Sequence, residues 1–435
     1  MNRKIIPGAR SGRIQAPSSK SQAHRQLICA ALSEAASCIS CPGISKDIEA
    51  TVKCLNGLGA RISYEGADIR VMPAVLREIP ERTNGRSAQN ISEGQVHLYC
   101  GESGSTLRFL LPVAGALGAD AVFHMEGRLS ERPMELYENV LKDHGMTIKR
   151  EGNLLYCSGQ LRPGVYSLPG NISSQYFTGL LFALPLLDEE SVLMADGIME
   201  SADYVRMTEA ALKASGIIWE NIPGGYHIPG KQHYKVPEHI RVEGDYSNAA
   251  FFLCMGAMSP AGITVGNISE DSAQGDRRIC DVLREFGAYV EREGDEVTVR
   301  KNVLKGITID ASMIPDLIPV LSTVAAVSEG ETRVIHGERL RMKESDRIAS
   351  TAAMLRSLGA DITETQDGMI IHGKPYLKGG AETESFNDHR IAMAAASAAC
   401  MCEEPVTVLG AECVAKSFPD FWEVYDSLQI NKKDR

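Results

Sequence analysis

No stretch of this chain is apolar for long enough to cross a bilayer. Its first residues, Met1-Asn2-Arg3-Lys4-Ile5-Ile6-Pro7-Gly8, are basic but lack the apolar core of a secretory signal, so a cytoplasmic protein is expected. A basic excess is also missing. The net charge of −11 excludes a general nucleic-acid binder, and any anionic ligand must be gripped by a local cluster of Lys and Arg. Aromatic residues are scarce at 6%, whereas Ala, Gly and Met are plentiful; this balance suits closely packed helices and sheets rather than an aromatic-rich sandwich. The 11 cysteines are odd in number and scattered through apolar stretches, which argues for reduced, buried thiols and against a disulfide framework. One Cys-x-x-Cys occurs, Cys38-Ile39-Ser40-Cys41, with no second pair to complete a metal site. Its strand-like setting turns the two thiols to opposite faces, so it reads as small buried hydrophobes. The histidines show no paired metal-ligand spacing.

What the chain does contain is a hidden period. Helical patterns end in a glycine at Gly59, Gly145, Gly216, Gly287 and Gly359, and after the first gap these recur about every 71 residues. Glycine fits the position after a helix because the left-handed backbone there disfavours a Cβ. In the same phase, β-branched stretches end at Gly43, Gly127, Gly197, Gly266, Gly337 and Gly410. A third series places Ser, Asn or Asp turns before helices, around Ser21, Ser105, Ser174, Ser247, Asp316 and Asn387. Six units of about 70 residues nearly fill the 435-residue chain, each alternating strand and helix patterns, which predicts an α/β or α+β fold with three units per domain. Polar residues from Pro237 to Asp245 mark the crossover between domains. The segment from Arg82 to Gly94 is a polar insertion expected as a surface loop. The tail from Asn431 is expected to be solvated.

The reactive residue types gather at these repeated turns. Pro17-Ser18-Ser19-Lys20-Ser21 and Arg25 open a helical run, where free backbone N–H groups, the helix dipole and two cations favour an anion. An ordinary cap beside solvated cations fits the same residues. Gly101-Glu102-Ser103-Gly104-Ser105-Thr106-Leu107-Arg108 lets backbone approach a ligand at Gly104, although its spacing is not that of a Walker loop and a plain turn is the competing account. Arg128 and Arg132 could grip phosphate or carboxylate or be solvated. Asn171-Ile172-Ser173-Ser174-Gln175-Tyr176, with Ser201 and Tyr204, offers neutral donors or simple caps. Lys343, Glu344 and Arg347 combine both signs of charge; helical spacing would place Lys343 and Arg347 on one face, as in a salt-bridged surface helix. Arg390 opens a small-residue helix. Lys416 and Asp316 each sit in apolar surroundings, where a charge is costly without a partner.

The set Lys20-Ser21-x-x-x-Arg25, the loop at Gly104, Glu131-Arg132-Pro133, Ser173-Ser174-Gln175, Lys343-Glu344-x-Asp346-Arg347, Asn387-Asp388-His389-Arg390 and Ala415-Lys416-x-Phe418-Pro419-Asp420 resembles, in order and across nearly the whole chain, the 5-enolpyruvylshikimate-3-phosphate synthase family of enolpyruvyl transferases. The resemblance implies two similar domains, each of three βαβαββ repeats in an inside-out α/β barrel. Residues 18–241 would form the N-terminal, shikimate 3-phosphate domain, and residues 1–17 with 242–435 the C-terminal, phosphoenolpyruvate domain. The active site would lie in the interdomain cleft, which closes on substrate. It further implies transfer of an enolpyruvyl group from phosphoenolpyruvate to the 5-hydroxyl of shikimate 3-phosphate, with release of phosphate, on the route to chorismate and the aromatic amino acids. By motif, shikimate 3-phosphate would meet Lys20, Ser21, Arg25, Ser173, Ser174, Gln175, Ser201, Tyr204, Asp316 and Lys343. Phosphoenolpyruvate would meet Lys20, Gly104, Arg128, Gln175, Arg347, Arg390 and Lys416. Asp316, Glu344 and Lys20 would be catalytic. No cofactor, metal or covalent intermediate is implied, and the partners are the two substrates, with no nucleic acid, no membrane and a monomeric chain.

Gly104 is the small residue that the resemblance links to sensitivity to glyphosate. Four positions depart from the family pattern: Glu102 and His24 replace Asn, Arg339 replaces a frequent Asn, and Ser18 replaces Gly. A carboxylate at Glu102 calls for a compensating cation beside an anionic substrate. The alternatives are the sister transferase acting on UDP-N-acetylglucosamine, an RNA-end-processing protein of related fold, and a non-catalytic anion-binding protein. The loop from Met125 to Pro133 lacks the reactive Cys usual in the sister family, and the acidic balance disfavours RNA.

Overall fold

The computed structural model describes residues 1–73 and 95–431. The polar insertion from Arg82 to Gly94 lies outside the described residues, as does the tail beyond Asn431. The chain divides into two compact units. One comprises residues 20–42 and 47–242; the other comprises 243–435 with 1–19 and 43–46. They are called the 20–242 unit and the 243–435 unit below. Among the described residues, no helix is long and apolar enough to cross a membrane.

The repeat is plainest in residues 165–228. Strand Val165–Pro169 leads through a helix to the parallel strand Ser191–Asp196, and a second helix leads to a hairpin, Glu220–Ile222 and Gly225–Ile228. The last strand returns antiparallel beside Ser191–Asp196, so the spatial order is first, second, fourth, third. The same order recurs in residues 96–159 and 308–372. Two further sheets are completed by exchange at the chain crossings. Strand Ala9–Gln15 runs on into the first helix of the 20–242 unit but lies parallel to Ile263–Gly266 of the 243–435 unit. Strand His239–Arg241 runs on into the 243–435 unit but lies parallel to Ser37–Ser40 of the 20–242 unit. In the sixth repeat, Glu382–Glu384 lies parallel to Val406–Leu409, and the N-terminal strand Arg3–Ile5 supplies the antiparallel neighbour.

Each repeat contributes two helices: α1 (Lys20–Ala31) and α2 (Lys46–Gly57), α3 (Gly104–Ala116) and α4 (Glu135–Asp143), α5 (Ser174–Ala183) and α6 (Ala202–Ala214), α7 (Tyr246–Ala257) and α8 (Ile279–Phe286), α9 (Ile318–Ala325) and α10 (Arg347–Ser357), α11 (His389–Ala399) and α12 (Phe421–Ser427). In the 20–242 unit α3 and α5 are buried almost all round, as are α7, α9 and α11 in the 243–435 unit. That is the burial expected of helices with no polar face. Small residues allow the close packing. A Cβ at Gly179 of α5 would stand 2.3 Å from the Arg108 carbonyl oxygen of α3. The helix-ending glycines Gly59, Gly145, Gly216, Gly287 and Gly359 all have positive φ, as their periodic placement requires.

One local expectation fails. Lys343 and Arg347 do not share a helix: a 3₁₀ turn, Glu338–Met342, ends before Lys343, which is extended, and α10 begins only at Arg347. The cause is Asp346, whose side chain accepts from the Ala349 N–H at 3.1 Å and so caps the helix after Lys343.

Candidate active site

In the 20–242 unit the candidates collect at helix N-termini. Lys20 is the first residue of α1, and its Nζ pairs with Asp47 of α2 at 3.0 Å. Arg25 is 2% exposed, and burial pushes its pKa down to about 10. It donates to the Ser21 carbonyl at 2.6 Å, to the Tyr204 carbonyl at 2.6 Å and to Thr208 Oγ1 at 2.9 Å, tying α1 to α6 and holding Ser21 near Tyr204. Ser201 precedes α6 in the left-handed conformation, with φ 53°.

Ser103 caps α3, so Gly104 is that helix's first residue. A Cβ there would stand 2.7 Å from an Arg132 guanidinium nitrogen and 3.2 Å from one of Arg108, so both guanidinium groups lie over the Gly104 turn. Gln175 connects this turn to α5. It accepts from Arg108 at 2.6 Å and donates to Ser105 Oγ at 3.0 Å, while Ser173 caps α5 and Ser174 begins it. Arg128 stays at the surface, paired with Glu131 at 3.2 Å. Glu102 packs its carboxylate against Gly127, where a Cβ would come within 2.6 Å of Glu102 Oε2.

In the 243–435 unit the arrangement centres on one buried guanidinium. Arg347, 1% exposed, meets Asp316 through Nη1 at 2.7 Å, Glu344 through Nη2 at 2.7 Å and Asp388 through Nε at 2.9 Å. Burial alone would lower its pKa, but Asp388, Glu344 and Asp316 together hold it above the ordinary guanidinium value. Asp316 also receives Arg390 at 3.0 Å and Lys343 at 3.6 Å, so the carboxylate that stood alone in sequence has three cations around it. Burial, helped by Arg347 and Arg339, pushes Lys343 down to about 8 against the opposing pull of Asp316. The unusual Arg339 therefore acts on Lys343 by repulsion. Asp388 caps α11 and accepts from the Arg390 N–H at 2.9 Å. Burial would raise the Asp388 carboxyl, but Arg347 brings it below the usual range. Lys416 is nearly buried and donates to the Asn387 carbonyl at 2.7 Å.

Sequence reasoning missed several members. Arg108 and Asp388 lie inside recognised motifs but were not singled out, and Arg132, read as a possible anion grip, was left out of the substrate contacts. Asp47 had no distinguishing signal. Nor did Asp276, which is buried, bonded to Ser247 of α7 and pushed up to about 7 by burial and by the nearby Asp316. Among the described residues, no group of three or more His, Cys, Asp or Glu is placed to hold a metal ion.

The EPSP synthase (3-phosphoshikimate 1-carboxyvinyltransferase) family model matches residues 6–425. The 3-phosphoshikimate 1-carboxyvinyltransferase of Clostridium acetobutylicum is 42% identical over 423 residues, covering 96% of this chain and 95% of that protein. That of Clostridium kluyveri is 42% identical over 427 residues, covering 98% and 96%. The solved EPSP synthase of Acinetobacter baumannii superposes with a TM-score of 0.79 at 26% identity, covering 99% of this chain and 100% of that one. The enolpyruvyl transferase NikO of Streptomyces tendae shares the fold, with a TM-score of 0.75 at 18% identity over 98% of this chain and 97% of that one. The protein is thus an α/β transferase of repeated β–α units. Within that class, the chain belongs to the EPSP synthase family, the 3-phosphoshikimate 1-carboxyvinyltransferases.

Proposed function

We propose that this enzyme transfers the enolpyruvyl group of phosphoenolpyruvate to the 5-hydroxyl of shikimate 3-phosphate and releases phosphate, with Asp316 and Glu344 as its acid–base pair. One observation carries the assignment of the pair: the two carboxylates sit on the two terminal nitrogens of the same buried guanidinium, Arg347. A planar guanidinium is a rigid fork, so it fixes the carboxylates relative to each other. Asp316 takes the proton of the attacking hydroxyl as its oxygen bonds to C2 of phosphoenolpyruvate. Glu344 delivers a proton to the methylene carbon, giving a tetrahedral intermediate. Glu344, left as a carboxylate by that delivery, takes a proton back from the new methyl group as the C2–O bond to phosphate breaks, which restores the double bond in the product. Lys20 assists proton transfer.

Ser21, Ser173, Ser174, Gln175, Ser201, Tyr204 and Lys343 hold shikimate 3-phosphate, with Arg25 behind Ser21 and Tyr204. Gly104, Arg128, Gln175, Arg347, Arg390 and Lys416, with Lys20, surround phosphoenolpyruvate, whose carboxylate and phosphate call for several cations. The same proposal includes the inside-out barrel form of the repeats and domains of 18–241 and of 1–17 with 242–435. It also includes catalysis where the two meet, and a cytoplasmic monomer sensitive to glyphosate.

The test is phosphate release from phosphoenolpyruvate with shikimate 3-phosphate, run beside UDP-N-acetylglucosamine. Release dependent on shikimate 3-phosphate is expected, and Glu344→Gln should lower kcat by about 10²–10⁴ with substrate binding retained. Release only with the sugar nucleotide would overturn the acceptor. Full activity in Glu344→Gln would overturn the acid–base assignment.

A further inference from the structure

The 20–242 unit contains a continuous line of buried hydrogen bonds that no substrate assignment uses. His24 Nδ1 lies 2.7 Å from Thr51 Oγ1. Thr51 Oγ1 lies 2.7 Å from Thr106 Oγ1, and Thr106 Oγ1 lies 2.7 Å from Ser103 Oγ. All four side chains are at most 1% exposed. The line starts on α1, crosses α2 and ends at the cap of α3, beside Gly104.

Its position matters because of helix spacing. His24 follows Lys20 by four residues, and Thr51 follows Asp47 by four, so each pair shares a helix face. The contacts Lys20–Asp47 and His24–Thr51 are therefore successive rungs between α1 and α2. From the second rung the line continues through Thr106 to Ser103, the residue that sets where α3 begins. Lys20 and the Gly104 turn, on different helices, are thus referred to one junction, Thr51.

Proton accounting gives the line a direction. A hydroxyl has one proton and two lone pairs. Ser103 Oγ accepts from the Thr106 N–H at 3.2 Å and from the Thr106 hydroxyl. Thr106 has then committed its proton and must accept from Thr51, which in turn must accept from His24. That makes His24 the Nδ1–H tautomer and leaves Nε2, buried without a hydrogen-bond partner, as a bare lone pair. The opposite tautomer would bury an N–H donor with no acceptor, the costlier defect. Burial, with Lys20 and Arg25 nearby, keeps His24 well below its usual pKa and therefore neutral, as a one-proton donor requires.

We propose that Thr51 is a positioning residue for phosphoenolpyruvate: by passing the His24 hydrogen bond on to Thr106 and Ser103, it holds the Lys20 ammonium in register with the Gly104 turn. The inference rests on the assignment of Lys20 and Gly104 to phosphoenolpyruvate. Thr51→Val keeps the shape of the side chain and removes the hydroxyl, whereas Thr51→Ser keeps the hydroxyl. In steady-state assays varying each substrate, Thr51→Val should raise KM for phosphoenolpyruvate about tenfold while KM for shikimate 3-phosphate stays within about twofold. Thr51→Ser should restore both to within about twofold. Thr106→Val cuts the same line and should show the same split, which keeps the test available if Thr51→Val folds poorly. An unchanged KM for phosphoenolpyruvate in both valine variants would overturn the proposal, and so would Thr51→Ser behaving like Thr51→Val, since packing alone would then explain the effect. Lys20→Met is the control. If it leaves KM for phosphoenolpyruvate unmoved, the site assignment fails and takes the proposal with it. If it raises that KM and the valine variants do not, the positioning line alone fails.

Discussion

At the scale of single residues, two displaced pKa values give the sharpest expectations. Lys343 is pushed down to about 8, chiefly by burial, so it is charged at neutral pH and loses its proton as the pH passes about 8. A bound phosphate dianion favours the charged form, so binding takes up protons near that pH and affinity falls as pH rises. KM for shikimate 3-phosphate, measured from pH 6.5 to 9.5, should climb above about pH 8, approaching tenfold per unit. Lys343→Arg, which stays charged, should flatten that climb; a climb of the same size in Lys343→Arg would remove Lys343 as its cause. Asp276 is displaced the other way, to about 7, by burial and then by Asp316. A carboxyl raised in the folded state contributes stability that is present below its unfolded value and lost as pH rises through about 7. Asp276→Asn removes the ionisation, so its melting temperature should improve relative to the parent protein between pH 5.5 and 8. A constant difference across that range would show that Asp276 ionises normally. Neither displacement was legible in sequence, because both come chiefly from burial, which only the packed fold decides, and the second cause at Asp276 is Asp316, a distant neighbour in the chain.

At the scale of elements, the packing of α3 on α5 sets the geometry around Gln175, Arg108 and Ser105. Gly179 lies at the closest approach, where a Cβ would be 2.3 Å from the Arg108 carbonyl oxygen and 2.5 Å from the Tyr137 hydroxyl. Glycine to alanine inside a helix normally stabilises by up to about 1 kcal/mol. Here the methyl group must push two helices apart, so Gly179→Ala should instead destabilise by about 1–3 kcal/mol. A thermal melt would register this as a drop of several degrees, and a rise in Tm would mean that the helices can separate freely. The elements themselves were largely readable. The helix-ending glycines and the Ser, Asp and Asn turns report local backbone chemistry, which sequence carries directly, and the glycines of that series are at positive φ as expected. The helical pairing of Lys343 with Arg347 was misread because spacing alone does not reveal that Asp346 caps the helix between them. The convergence of the two cations on Asp316 is a tertiary fact, visible only once α9 and α10 are packed.

At the scale of the molecule, the six-fold period told the class of architecture, and the ordered motifs across the chain told the family. What the period could not tell is which strand completes which sheet, because the two crossings exchange strands between otherwise equivalent repeats. That exchange makes the two halves unequal as independent folding units. Every strand of the sheet containing Ser37–Ser40, including His239–Arg241, lies between residues 20 and 242. The 243–435 unit, by contrast, depends on the N-terminus. Ala9–Gln15 lies between Ile263–Gly266 and Gln429–Asn431, and Arg3–Ile5 borders Val406–Leu409. Ile5, Ile14 and Ala16 are buried in that unit's core. Removing residues 1–19 would therefore open an interior sheet position, expose unpaired strand edges and leave core vacancies. A fragment of residues 20–242 should melt cooperatively by circular dichroism. A fragment of residues 243–435 should not, until a peptide of residues 1–19 is supplied and restores the transition. Cooperative melting of the 243–435 fragment alone would show that the borrowed strands are accessory; failure of the peptide to restore it would show that the unit needs more than the two strands it borrows.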